Sequence, residues 1–292
     1  MTTTHPGLPD AVPMFKHVVV GIREDEAGLD AIALARELLA PDGTLTLLHV
    51  QVVAMKPSDS GVVRDRAKRR QALDRLTALA HGLELDAEVS CVQALSARRG
   101  LHQFASDCGA DLLVVSTSRR DELGRDIIGD DAAEALENAP CAVAIAPSGY
   151  SSRNGGLTRV GVAYDGSAES ERALSAGRTL ASEHAAELSA FEAVGTPAHI
   201  RDSWDIEDEI NEYLEATRRR VAALGDVEAE ASFGEPVEEI ATYEESVDLL
   251  VIGSHNYRPI DRVFRKSVAQ RLADAASSPV LVLSSASHVS RI

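Results

Sequence analysis

The chain has 292 residues, 45% apolar and 26% charged, an ordinary soluble composition with room for two domains. Its formal net charge of −17 is shared as −7 over residues 1–150 (15 basic, 22 acidic) and −10 over 151–292 (14 basic, 24 acidic). Such a surface repels nucleic-acid phosphates and anionic lipid, so neither is expected as a partner.

From the N-terminus, Met1–Pro13 lacks both the basic start and the apolar core of a secretory signal, and 1–14 reads as a flexible tail. No apolar run approaches the roughly 20 residues that span a bilayer, and a cytoplasmic location is expected. Val18–Ile22 predicts a first strand, and the apolar spacing over Leu29–Leu39 a helix. Pro41-Asp42-Gly43 predicts a turn into a second strand, Leu45–Val50. A charged helix over Arg64–His81, a short strand near Glu88–Val92 and a helix around Leu101–Cys108 follow. A fourth strand at Leu112–Val115, a last helix at Asp131–Asn138 and a fifth strand at Ala142–Ile145 close the half. The breaker-rich stretch Pro147–Gly156 joins this half to the next.

The second half repeats the order. Asp111-Leu112-Leu113-Val114-Val115-Ser116 recurs as Asp248-Leu249-Leu250-Val251-Ile252-Gly253. His17–Ile22 parallels Arg159–Tyr164, and Asn138–Ile145 parallels Ala276–Leu283. Three landmarks in one order indicate a duplicated domain, with domains at 15–147 and 158–287 and a linker at 148–157. Strands are expected near 160–164, 188–193, 227–231, 249–252 and 280–283. The fold class expected is α/β: two tandem open five-stranded parallel sheets with helices on both faces, related by pseudo-twofold symmetry. The fifth strands, Val143-Ala144-Ile145 and Val280-Leu281-Val282, are apolar edges that need cover and are expected to pair within the chain as a pseudo-dimer.

Ligands on open α/β sheets sit beyond the carboxyl ends of the strands where strand order reverses. In the second half that rim carries Asp165-Gly166-Ser167 after the first strand and Gly253-Ser254-His255-Asn256 after the fourth. Ser267 then opens a helix whose N-terminus suits phosphate.

On these segments, with Ser278-Pro279-Val280-Leu281 and Asn138-Ala139-Pro140-Cys141, both halves resemble universal stress protein domains over nearly the whole chain. The resemblance implies a Rossmann-type fold of the adenine-nucleotide alpha-hydrolase-like kind and an ATP or AMP site in the C-terminal half. In that family an aspartate follows strand one and a Gly-x2-Gly-x9-Gly-Ser/Thr loop follows strand four. Carried across, the site falls on Asp165, Val194, Gly253, Asn256, Lys266, Ser267 and Val268. Asn256 and Lys266 replace two glycines of that loop, which removes bare backbone from a phosphate cradle. Arg258, Arg262 and Arg265 add local positive charge, so a rebuilt anion site and a loop that has lost its ligand both stand open. In the N-terminal half the same positions hold Arg23, Ser116, Arg119, Gly129 and Asp130. Asp130 and Asp131 would place negative charge where phosphate should sit, and this copy is expected to be structural.

Other chemistries lack their signatures. Gly161–Ala168 misses the Lys-Ser/Thr of a P-loop, and no Gly-x-Gly-x-x-Gly follows either first strand. No His-x-x-x-His pair, Cys/His cluster or Gly-x-Ser-x-Gly elbow occurs. Cys91, Cys108 and Cys141 are far apart and suit a reducing compartment. The runs Lys68-Arg69-Arg70 and Arg218-Arg219-Arg220 read as solvated helix faces, His255 as a solvated loop residue, and Trp204 as a packing anchor. The expected function is a non-enzymatic regulatory role in the cytoplasmic stress response, through an unidentified protein partner or a weakly bound nucleotide. The alternative is a nucleotide-independent interaction module. Association of whole chains into homodimers is left open.

Overall fold

The structure, a computed structural model, describes residues 15–23, 28–53, 59–117, 119–120, 126–127, 135–153, 155–195, 206–254 and 277–283. The first half runs β1 (Phe15–Gly21), α1 (Gly28–Leu38), β2 (Leu39–Val52), α2 (Asp59–Gly82), β3 (Ala87–Ala94), α3 (Ala97–Asp107) and β4 (Leu112–Ser116). A two-residue antiparallel pair follows, β5 (Arg119–Arg120) with β6 (Asp126–Ile127), and then β7 (Ala142–Ala146). The second half runs β8 (Arg159–Ala163), α4 (Ala168–His184), β9 (Glu187–Val194), α5 (Ile206–Ala222), β10 (Glu228–Phe233), α6 (Pro236–Glu244), β11 (Leu249–Gly253) and β12 (Val280–Leu283).

Ten strands form one sheet in the order β10-β9-β8-β11-β12-β7-β4-β1-β2-β3. Each half is a parallel doubly wound unit whose strand order reverses between its first and fourth strands. The halves meet where Val143, Ala144 and Ile145 pair antiparallel with Val282, Leu281 and Val280. The two expected sheets are therefore one, because each fifth strand covers the other's open edge. β4 and β11 read as unbroken apolar runs because layers cover both of their faces.

Local departures from the sequence reading have physical causes. β2 starts at Leu39, earlier than expected, and the turn residues Pro41-Asp42-Gly43 form an irregularity inside it. Phe15 pairs with Leu39 and His17 with Thr44, so the ladder absorbs the extra residues there. The β5–β6 pair was not expected, since two-residue strands carry no periodicity to read.

The core differs between the two faces of the sheet. On one face a single cluster runs through both halves, from Leu34, Leu38 and Leu47 to Leu174, Leu249 and Leu281. On the other, two clusters lie side by side, one around Leu101, Leu113 and Ile145 and one around Phe191, Leu250 and Val282.

The repeated aspartates pin the amino edge of each sheet. Asp111 accepts hydrogen bonds from the Lys16 and His17 N–H groups at 2.9 and 3.0 Å, tying β4 to the start of β1. Asp248 does the same for β8, accepting from the Thr158 N–H (2.9 Å), the Thr158 hydroxyl (2.6 Å) and the Arg159 N–H (3.0 Å), with Arg153 at 3.1 Å. Burial alone would raise the Asp248 pKa, but the Thr158 hydroxyl, the two backbone N–H groups and Arg153 outweigh it and hold the carboxyl below the ordinary value.

The segment between the halves is folded onto α1. Asp30, only 7% exposed, accepts from the Gly149 N–H (2.8 Å), the Ser151 N–H (2.8 Å) and the Ser151 hydroxyl (2.7 Å). Tyr150 is buried, donates to Glu37 at 2.5 Å, and carries the Arg153 guanidinium 5.7 Å above its ring centre. Across the boundary, a His184 ring nitrogen lies 3.0 Å from the Glu37 carbonyl oxygen.

Candidate functional site

The carboxyl rim of the second half is built by the turn from β8 into α4. Gly166 takes φ 77°, open to a residue without Cβ, and lets Ser167 cap the helix by accepting from the Ser170 N–H at 3.1 Å. Asp165 is exposed at the strand end, and its Oδ1 accepts from the Ser167 N–H at 3.0 Å. Asp-Gly-Ser is thus a complete strand-to-helix turn that presents a carboxylate at the point where strand order reverses.

Gly253 closes the other side. A Cβ there would lie 2.4 Å from the Glu169 carbonyl oxygen and 2.5 Å from its carbon, so α4 begins directly against the end of β11. The glycine brings the positive end of a helix dipole to the rim, and it does so through helix packing. Next to it, the Ser254 N–H donates to the Leu283 carbonyl at 2.9 Å. Val194 is buried, and its carbonyl accepts from the Gly234 N–H at 3.0 Å. Asp165, Val194 and Gly253 therefore stand on three neighbouring strand ends, β9, β8 and β11. Asn256, Lys266, Ser267 and Val268 lie outside the described residues, as do Trp204, His255, Arg258, Arg262 and Arg265.

A polar group missed by the sequence reading sits beside this rim. The Tyr164 hydroxyl contacts Glu171, and burial followed by that carboxylate pushes its pKa up to about 12. Glu192, at the end of β9, pairs with Arg220 of α5, which raises the guanidinium pKa further. The signal was available: Glu192 is a lone charge among the apolar residues of Ser189–Val194.

The first half places different residues at the same points. Arg23 is exposed beyond β1, Ser116 is buried at the end of β4, and the Thr117 N–H donates to the Ala146 carbonyl at 2.9 Å, as Ser254 does to Leu283. Arg119 lies in β5, and Gly129, Asp130 and Asp131 lie outside the described residues.

The model of the universal stress protein family matches residues 14–147 and again 156–284. The chain belongs to the universal stress protein family. As a tandem member it carries two copies of the domain, each with the strand order just described. A universal stress protein from Archaeoglobus fulgidus superposes with a TM-score of 0.64 at 15% identity, covering 94% of this chain and 97% of its own. A Pseudomonas aeruginosa protein assigned to the same family gives 0.64 at 20% identity, with 94% and 95% covered. These likenesses speak for the fold. No curated relative matches the chain. Among the described residues, no helix is long and apolar enough to cross a membrane.

Proposed function

We propose that this tandem universal stress protein acts in the cytoplasmic stress response as a non-enzymatic regulator, and that its second half binds an adenine nucleotide, ATP or AMP, at the rim of β8, β9 and β11. The observation that carries the reading is Asp165. It is an exposed carboxylate at the strand-order reversal, beside a helix N-terminus drawn against the bare backbone of Gly253. A carboxylate held in a turn by the Ser167 N–H is a fixed acceptor for a sugar hydroxyl or a base N–H, more than a mobile base for hydrolysis. Titration calorimetry of ATP into the full chain tests it. Micromolar binding lost in Asp165→Ala, with no ADP released on incubation, is the expected outcome. Absence of heat with wild type overturns it.

The second reading, an interaction module without nucleotide, is favoured by a different fact. Contact with Glu169 already accounts for the missing side chain at Gly253. On that reading the melting temperature does not move with millimolar ATP, since a specific ligand stabilises by mass action.

A further inference from the structure

The second helix of each half is the same element carrying opposite charge. Leu76, Ala80 and Leu83, along α2 and just past its end, repeat as Thr217, Val221 and Leu224 of α5, at the same spacing and turned to the same side. On that register Arg66–Gln71 falls on Glu207–Glu212: Glu207 takes the place of Arg66, Glu209 of Lys68 and Glu212 of Gln71. Over the whole helices, six basic and three acidic residues give Asp59–Gly82 a charge of +3, and three basic and five acidic residues give Ile206–Ala222 a charge of −2.

Within the chain the basic segment has no counterpart. Every residue from Arg66 to Gln71 is exposed. Among the described residues, Arg66, Lys68, Arg69 and Arg70 enter no ion pair, although Asp65 and Asp74 stand on the same helix. Arg66 and Arg70, four positions apart, repel each other, which weakens a stretch of helix that buries nothing. The second half engages its own arginines internally: Arg218 donates to the Glu215 carboxylate at 2.7 Å, Arg219 to the Glu215 carbonyl at 3.2 Å, and Arg220 to Glu192. What α5 leaves exposed is acid, Glu207, Asp208 and Glu212, with Tyr213 beside them at 40% exposure.

We propose that α2 of one chain docks on α5 of a second copy, with Arg66–Arg70 set against Glu207–Glu212. The two segments hold one place in the repeat with inverted charge, so each chain carries both sides of the contact. Both helices cover the same face of the sheet, and one twofold axis parallel to the sheet brings both pairs together. This surface is separate from the seam, where the fifth strands already cover each other. Tyr213 offers a ring on which an arginine guanidinium stacks, and tyrosine and arginine are the residues that anchor interfaces. Complementary charge sets register and choice of partner more than affinity, and the −17 on each chain opposes approach, so the dimer is a reversible one.

Sedimentation equilibrium of the full chain without nucleotide, over concentrations reaching about 1 mM, tests the contact. A monomer–dimer equilibrium is expected for wild type. Arg66→Glu with Arg70→Glu should raise the dimer dissociation constant at least about tenfold, and Glu207→Lys with Glu212→Lys should do the same. All four positions are exposed, so the melting temperature should stay close to that of wild type. The four changes in one chain exchange the charges of the two segments and should restore the dimer. Wild type that stays monomeric, a dimer that neither pair of changes weakens, or a fourfold variant that remains dissociated overturns the assignment. Monomeric wild type that binds anionic phospholipid vesicles or single-stranded RNA, and loses that binding in Arg66→Glu with Arg70→Glu, gives these cations a different partner and overturns it as well.

Discussion

The amino edge and the carboxyl rim of this protein have had different histories in its two copies. At the amino edge Asp111 and Asp248 perform one task, accepting the first N–H groups of β1 and β8. At the carboxyl rim hardly a position agrees: Arg23 faces Asp165 across the repeat, Ser116 faces Gly253, and Gln51 faces Val194. The contrast teaches that the sheet is pinned from one edge, which leaves the other free to change chemistry without changing the fold.

Stranding buried donors or forcing a backbone clash should cost more than changing exposed rim residues. The largest loss is expected for Asp30→Ala, which strands the Gly149 and Ser151 N–H groups against α1. About 3 kcal/mol should disappear from the stability measured by urea unfolding. Next comes Gly253→Ala, whose new Cβ meets the Glu169 backbone; about 2 kcal/mol is expected, against under about 1 kcal/mol for Ser116→Ala at the matched point. Asp248→Ala should cost about 2 kcal/mol and Asp111→Ala about 1 kcal/mol, following the number of donors each carboxylate holds. Equal losses would show that the number of donors does not set what each carboxylate contributes.

Two carboxylates of the second half sharpen the comparison through pH. The folded Asp248 pKa lies below its ordinary 3.8, so its contribution is present above that value and is lost as pH falls through the folded one. Asp248→Asn should flatten the acid limb of the stability profile. Glu244, 2% exposed, accepts from the Ser277 N–H at 3.2 Å and from the Ser278 N–H, and burial raises its pKa above the ordinary 4.5. Its contribution is present at low pH and is lost as pH rises through the raised value. Glu244→Gln removes the titration but leaves one of the two N–H groups facing an amide NH2, so its stability should lose the pH dependence between 4.5 and the raised value while the acid limb stays in place. The smallest effect is expected for Leu95→Glu: within about 0.5 kcal/mol, as for other exposed positions.

Much of this was legible in the chain. The apolar runs at Leu112–Val115 and Leu249–Ile252 announced buried parallel strands, and the short apolar edges Val143–Ile145 and Val280–Val282 announced the seam. Other features were hidden for physical reasons. Asp30 and Ser151 are 121 positions apart, and nothing local marks a contact that only tertiary folding creates. Gly253 looked like a phosphate glycine, whereas a close helix demands the same bare backbone. Gln51, near the end of β2, is polar in the sequence, and only the fold shows it buried at the place where the second half has Val194.

The antiparallel seam between β7 and β12 has one more result. Because the strands of one half run against those of the other, the two rims open on opposite sides of the molecule. Molecules bound at the two rims would therefore sit apart, on opposite sides of the sheet. The single apolar layer that runs through both halves is then the one continuous packing path between the rims among the described residues.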